Sequence, residues 1–435
     1  MILKLEKLIA FFPIIILISP YLIDGIRFDM ILSLVLLLIV GYRRYQMEGK
    51  LPLDNLVLFL ILLTFIGVIS TAVFALAKET LRYVNFSSFT MLQYWLRISI
   101  FCLICSWASD LYRRNTASQS IKSFYLVSFS VALMGALETF RLIPIYYDQA
   151  LSIFMPSSVS YMREQLLELP FRRATSILAH PSTFAYFTLF MYWISFRCQS
   201  SVSSIVSKKT GILIFVLAAF CSGSKLLFLM LPLILLYEYV IIRKHFTMFF
   251  FVVLSIVGFG GFCYWLAMDG GWSGTLIHKV YFFVWAISNL GIYEVFFRTR
   301  FDSESGLLTN SIETLLENPF FGIGVNVMPE VFYGDSAYLT MILRYGVIGL
   351  VVFLVVIHIL RVRSEAIFRS NAPELIRVFA FGCSAALVMS VLTGFVIDSF
   401  SLFKISEIIY FYILYLSFGE QELARSRKAS IVSGP

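Results

Sequence analysis

The amino-acid sequence predicts an all-α, polytopic integral membrane protein with about 12 transmembrane helices. Three observations carry this reading. Of 435 residues, 59% are hydrophobic and only 14% are charged, whereas soluble globular chains are about 45–50% apolar and about 25% charged. The residues for a charged, water-facing shell are missing. A bilayer-spanning helix takes about 20 predominantly apolar residues, and apolar runs of that order recur along the whole chain. Basic residues, finally, return in every second break between the runs. With 24 Gly, 12 Pro and no internal repeat, neither disorder nor a solenoid is expected.

The apolar segments fall at about 8–23, 28–42, 55–77, 91–109, 121–140, 177–196, 208–222, 225–242, 246–267, 338–360, 376–397 and 402–418. Thr210–Ile242 is too long for one crossing and is interrupted by Cys221-Ser-Gly-Ser-Lys225, so it reads as two helices joined by a tight polar turn. Placing the N-terminus in the cytoplasm puts 20 of the 34 Lys and Arg in the short inner segments, as the positive-inside rule requires. Among them are Arg43-Arg44, Arg113-Arg114, Lys208-Lys209, Arg361 and Arg363. The net charge of +8 is therefore a topology signal and not a nucleic-acid surface. Lys4–Ile23 reads as a first span without a small-residue cleavage site. Two long segments fall on the outer side, 141–173 and 268–337, and 420–435 forms a cytoplasmic tail.

Within the second long segment, Val280–Phe297 is apolar enough to cross but contains Asn289, Gly291 and Glu294. A helix lying in the outer interface, or re-entering it, keeps the later basic loops inside. Leu307–Glu317 reads as an amphipathic helix with Leu308, Ile312, Leu315 and Leu316 on one face, ended by Pro319. The six cysteines lie in or beside apolar runs, and Cys102 and Cys105 sit mid-span without a second pair. Buried small apolar residues is the reading they support, with neither disulfides nor a zinc site.

Soluble-enzyme signatures are absent: no phosphate-binding glycine loop, no His-Glu-x-x-His, no Gly-x-Ser-x-Gly. What stands out is a set of cations at the outer ends of spans. Arg172 and Arg173 precede the sixth, with His180-Pro181 shortly after; Lys225 lies in the polar turn; Arg298 and Arg300 lie in the long outer segment; Arg344 is inside the tenth. A charge at membrane depth costs at least about 2.5–3.5 kcal/mol, so it pairs or lines a polar cavity. Arg matches phosphate oxygens bidentately while staying charged. Each position also has a plainer explanation. Arg172 and Arg173 suit headgroup anchors, Lys225 a helix cap, and Arg298 and Arg300 a solvated face beside Asp302 and Glu304. Arg344 suits a structural pair with Asp335 or Glu407, and His180-Pro181 a turn around a buried, hydrogen-bonded His. Together they point to an anionic ligand bound from the outer face.

Glu317-Asn-Pro-Phe-Phe-Gly-Ile-Gly-Val-Asn326 combines a helix stop at Asn318-Pro319 with two glycines that permit a tight backbone course. Asp335 and Ser336 stand where they would cap the tenth span. Asp335 is equally placed to accept a proton from a hydroxyl beside the cations.

These stretches resemble a known family. ENPFFGIGVN followed by GDSAYLTMILRYGVIGL is similar to the C-terminal signature of the O-antigen polymerase and O-antigen ligase superfamily of bacterial polysaccharide assembly. RRATSILAHPSTFAYF resembles its Arg-then-His/Asn-Pro segment, and SGSKLLFLML its Ser-Gly-Ser-Arg helix start. The resemblance covers roughly residues 120–400 and rests on the order and spacing of short, degenerate motifs. It implies a metal-independent, cofactor-free C-type glycosyltransferase of the bacterial inner membrane, acting at the periplasmic face. Its donor would be an undecaprenyl-pyrophosphate-linked oligosaccharide. Its partners would be that lipid, the bilayer and a chain-length regulator protein, with no nucleic acid. Carried onto this chain, Arg173, Lys225, Arg300 and Arg344 are the pyrophosphate-binding candidates, supported by Arg172, His180 and Arg298, and Asp335 is the candidate base. Two departures bear on this. Ser305-Gly306-Leu307 lacks the cation that many members carry after Ser-Gly, and Lys225 replaces the usual Arg and loses its planar fork. Ligases commonly present His before Asn or Ser where this chain has Asp335-Ser336, which favours polymerisation of repeat units over ligation to lipid A core. A transporter or flippase for a lipid-linked sugar is the third reading, although the two matching halves it calls for are absent.

Overall fold

Inside a bilayer, backbone amides have no water to bond, and a continuous apolar run satisfies them only as a helix or within a closed barrel. The computed structural model describes residues 2–23, 26–77, 86–140, 142, 153–154, 173–178, 180–242, 244–267, 276–294, 309–325, 336–394 and 404–432. Apart from one short hairpin, its regular elements are helices. In chain order they are α1 (Ile2–Ala10), α2 (Phe12–Ile18), β1 (Tyr21–Ile23), β2 (Ile26–Arg27), α3 (Phe28–Glu48), α4 (Asn55–Ala77), α5 (Phe86–Trp107) and α6 (Arg114–Thr139). There follow α7 (Pro181–Arg197), α8 (Lys208–Cys221), α9 (Lys225–Leu236), α10 (Phe246–Ala267), α11 (Leu276–Tyr293), α12 (Thr309–Glu317), α13 (Ala337–Phe368), α14 (Glu374–Thr393) and α15 (Ile405–Val432).

Among the described residues five helices, α4, α6, α10, α13 and α14, are long and apolar enough to cross a membrane. Their surfaces agree. α4 buries Leu56, Leu60, Leu63 and Phe74 on one face and exposes Leu58, Phe65, Ile69 and Leu76 on another, Phe65 being 59% exposed. On α10, Phe250 and Trp265 are 66% and 67% exposed. An apolar exterior built into the helices of a folded chain is what lipid contact requires and water penalises. The interior is aromatic: Phe12, Phe101 and Phe411 pack edge-on or tilted, and Phe379 meets Tyr412 at 4.6 Å between ring centroids. Cys102 and Cys105 are buried in this core, as expected for small apolar residues.

Several boundaries differ from the sequence reading, each for a local reason. The first apolar segment is two helices, broken at Phe11 with Pro13 in the first turn of the second, since proline cannot continue a helix interior. It ends in the β1–β2 hairpin, with Tyr21 opposite Arg27. The segment read as a tail is helical through Val432, continuous with α15, with Glu420 buried against Tyr112 and Arg114. α11 runs antiparallel along α10, Tyr281 tilted against Tyr264 and Val284 facing Gly260, until Gly291 breaks it at φ 84°. Of the described apolar residues of α12, Leu315 packs inward, while Ile312 and Leu316 are exposed. The two-helix reading of Thr210–Ile242 holds: α8 stops at Cys221 and α9 starts at Lys225, with Gly223 at φ 55° between them.

Ion pairs tie the helix ends that the sequence places on one side. Arg43 after the apolar part of α3 meets Asp110 beyond α5. Arg363 of α13 meets Asp54 before α4, Arg114 of α6 meets Glu420 of α15, and Arg197 of α7 meets Glu238 beyond α9.

Candidate functional site

The opposite helix ends hold the motifs. The segment 173–178 leads into α7 and lies on the turn between α8 and α9. Ala174 N donates to the Cys221 carbonyl at 3.0 Å, and Arg173 Nε donates to the Ser222 carbonyl at 3.0 Å. Thr139 Oγ1, at the end of α6, donates to the same Cys221 carbonyl at 3.3 Å. Ser182 in the first turn of α7 and Ser224, the N-cap of α9, bring their hydroxyls to 3.1 Å. Two helix N-termini, each with a positive dipole end, thus converge beside Arg173.

Arg173 is half-buried, and among the described residues its guanidinium has one partner, the Ser222 carbonyl. Burial pushes its pKa down, with no carboxylate to push it back. It remains a cation, because a guanidinium stays protonated at any pH of interest. Beside it the chain is held hard. Glu138, fully buried, accepts from Thr175 N and Ser176 N at 3.2 and 3.0 Å. Ser176 sits at φ 47°, and the buried Thr175 and Ser176 hydroxyls have no hydrogen-bond partner among the described residues.

Other predicted residues are distributed as follows. Lys225 is the first residue of α9, so its backbone stands at the convergence; its side chain lies outside the described set. His180 is the N-cap of α7, Nδ1 accepting from Ser182 N at 3.2 Å, and it is exposed where a buried role was the plainer expectation. Arg172, Arg298, Arg300 and Asp335 lie outside the described residues. Ser336 caps α13 as read from the sequence. Arg344 is half-buried on the first stretch of α13. Glu407, one partner considered for it, bonds instead to Arg27 and Arg97.

Arg344 belongs to a discontinuous helix. At Gly346 the backbone of α13 reaches φ 67°, and a Cβ there would collide with the Phe320 carbonyl. The backbone groups released by the break are taken by the 318–325 turn: Ile323 N donates to the Leu343 carbonyl at 2.6 Å, and Val347 N to the Pro319 carbonyl at 3.0 Å. The tight course expected at Gly322 and Gly324 is present, at φ 73° and 74°. Gly324 lets the turn approach the backbone of α4 at Thr71, whose Oγ1 accepts from Val325 N at 3.0 Å, while Ser70 donates to the Phe321 carbonyl. Thr340, one helical turn before Arg344, has a buried hydroxyl without a hydrogen-bond partner among the described residues.

α14 lies between the two regions. Tyr186 of α7 donates to the Ala386 carbonyl at 2.7 Å, and Tyr338 of α13 donates to the Val391 carbonyl at 2.8 Å. Among the described residues, no group of three or more His, Cys, Asp or Glu side chains converges. The sequence reading missed Glu138, Ser182 and Thr71. Glu138 alone left a signal, as a lone carboxylate closing an apolar run. Compared with protein-family models, with curated proteins and with solved structures, the chain matches none.

Proposed function

We propose that the protein is a glycosyltransferase that joins undecaprenyl-pyrophosphate-linked oligosaccharide repeat units into O-antigen or a related surface polysaccharide at the periplasmic face of the inner membrane. The observation that carries the reading is Arg173: a half-buried cation without a carboxylate partner among the described residues, held by a carbonyl next to two helix N-termini. Such a place suits an anion, and the departing pyrophosphate of a lipid-linked glycan supplies one. The terminal hydroxyl of a second lipid-linked unit would attack the anomeric carbon of the donor. The C–O bond to pyrophosphate breaks as the new glycosidic bond forms, and the hydroxyl proton passes to Asp335. Arg344 and Lys225 would share the leaving group's charge.

The test is a deletion strain complemented with the wild-type gene, Arg173→Ala or Arg344→Ala, and read by polysaccharide gels at matched protein level. Loss of the ladder with a single repeat unit left on core supports polymerisation. Loss of all glycan from core indicates the ligase instead. Unchanged chain length in both variants refutes both.

A further inference from the structure

Glu138 has no part in the chemistry above, yet it is a wholly buried carboxylate beside the cation that has. It closes α6 and spends its Oε2 on two consecutive backbone N–H groups, Thr175 and Ser176. Successive N–H groups in such a bend form a small anion-binding concavity. The bend is not one these residues adopt unaided. Ser176 is in the left-handed region at φ 47°, and its hydroxyl and that of Thr175 are buried without partners among the described residues, each a destabilising feature. Something must hold it, and the carboxylate is placed to do so. The bend in turn fixes Ala174 N on the Cys221 carbonyl and Arg173 Nε on Ser222. Glu138 thus grips the chain two residues beyond Arg173, whose own hydrogen bond goes to the Ser222 carbonyl.

We infer that Glu138 is a positioning residue: by gripping the 175–176 bend it aims the Arg173 guanidinium at an organic diphosphate. The inference rests on the reading under Proposed function and predicts a pattern that a plain structural role does not. What the bend needs is an acceptor oxygen at the right reach. Glu138→Gln keeps the reach and loses the charge. Glu138→Asp keeps the charge and retracts by one methylene.

The full-length protein, purified in detergent, is titrated with farnesyl diphosphate, with thermal unfolding followed in parallel. Glu138→Gln is expected to bind within about threefold of wild type, and Glu138→Asp at least about tenfold more weakly, since a misplacement of about 1 Å can cost up to a hundredfold. In an Arg173→Ala background, neither change has a further effect, because the residues act through one another. The reverse order, with Asp tolerated and Gln not, overturns the inference, as do effects that add to that of Arg173→Ala. Those results leave the diphosphate reading standing. A folded wild-type protein that does not bind farnesyl diphosphate overturns both. Should Glu138→Asp fail to fold, Glu138→Gln decides alone: tenfold weaker binding at wild-type unfolding temperature refutes positioning by reach.

Discussion

Arg97 and Arg173 are the same residue type in one membrane protein, at the same end of the helices, and they are treated in opposite ways. Arg97 is wholly enclosed: Nη1 donates to Glu407 at 2.9 Å, a second contact reaches Asp29, and both carboxylates are shared with Arg27. Lys404 closes the group by donating to the Leu17 and Ser19 carbonyls at 3.1 and 2.8 Å. Arg173 is half-buried, with a carbonyl for a partner. A cation whose counter-charges are built in serves the fold, because enclosing it unpaired would cost several kcal/mol. On the proposed function, a cation left with a neutral acceptor would be reserved for a charge that arrives from outside. The difference lies in the partners and not in depth alone.

The largest effect should come from breaking the enclosed group. Glu407→Ala leaves Arg27 and Arg97 sharing Asp29, and removing one partner of a buried pair costs about 3–5 kcal/mol. Thermal unfolding in detergent and the amount of protein in membranes should both collapse. An unchanged unfolding temperature would mean that the Arg27–Asp29–Arg97–Glu407 group does not hold the N-terminal hairpin to α15. Gly346→Ala should come next, at about 1–3 kcal/mol for a side chain forced into the left-handed region, with added collision at Phe320. If the break in α13 exists to place Arg344, this variant should also shorten the polysaccharide.

Arg173→Ala should invert that ranking. It removes one hydrogen bond from a partly solvated guanidinium to a carbonyl, worth at most about 1.5–3 kcal/mol of stability, yet it should weaken diphosphate binding by about 10–100-fold, since the charge of the ligand loses its partner as well. A variant that unfolds like Glu407→Ala would place Arg173 among the structural cations and end the contrast.

Much of this was legible in the sequence, for physical reasons that differ by element. α4 and α10 match their predicted limits because long apolar runs end at polar breaks. The meeting of the Arg173 segment with the Ser222–Lys225 turn was implied by two motifs at the outer ends of neighbouring helices. The break at Gly346 was not legible. Tyr345-Gly346-Val347 reads as uninterrupted span, since glycine is common in transmembrane helices, and what stabilises the break is a turn some 20 residues earlier in the chain. Arg97 lies inside an apolar run, where a charge needs a partner, but Asp29 and Glu407 are so remote in sequence that only the fold selects them. Glu138 closed an apolar run like any outer-end carboxylate. Its role depends on a bend at Ser176 that no local pattern encodes.

The weakest expected effect tests the contrast from the other end of the helices. Arg361 and Glu365 form a pair one turn apart on α13 with about a third of each side chain exposed, so Arg361→Ala should change stability by less than about 0.5 kcal/mol. Two residues on, Arg363 donates to both oxygens of Asp54 at 2.7 and 2.8 Å, is about half as exposed, and lies 4.9 Å from the Phe418 ring. That single side chain links α13, the start of α4 and α15. Arg363→Ala should therefore cost more than Arg361→Ala, though less than Glu407→Ala, because solvent still reaches the pair. Equal losses at 361 and 363 would show that enclosure by neighbouring helices does not set the value of an ion pair in this protein, and the argument that separates Arg97 from Arg173 would lose its basis.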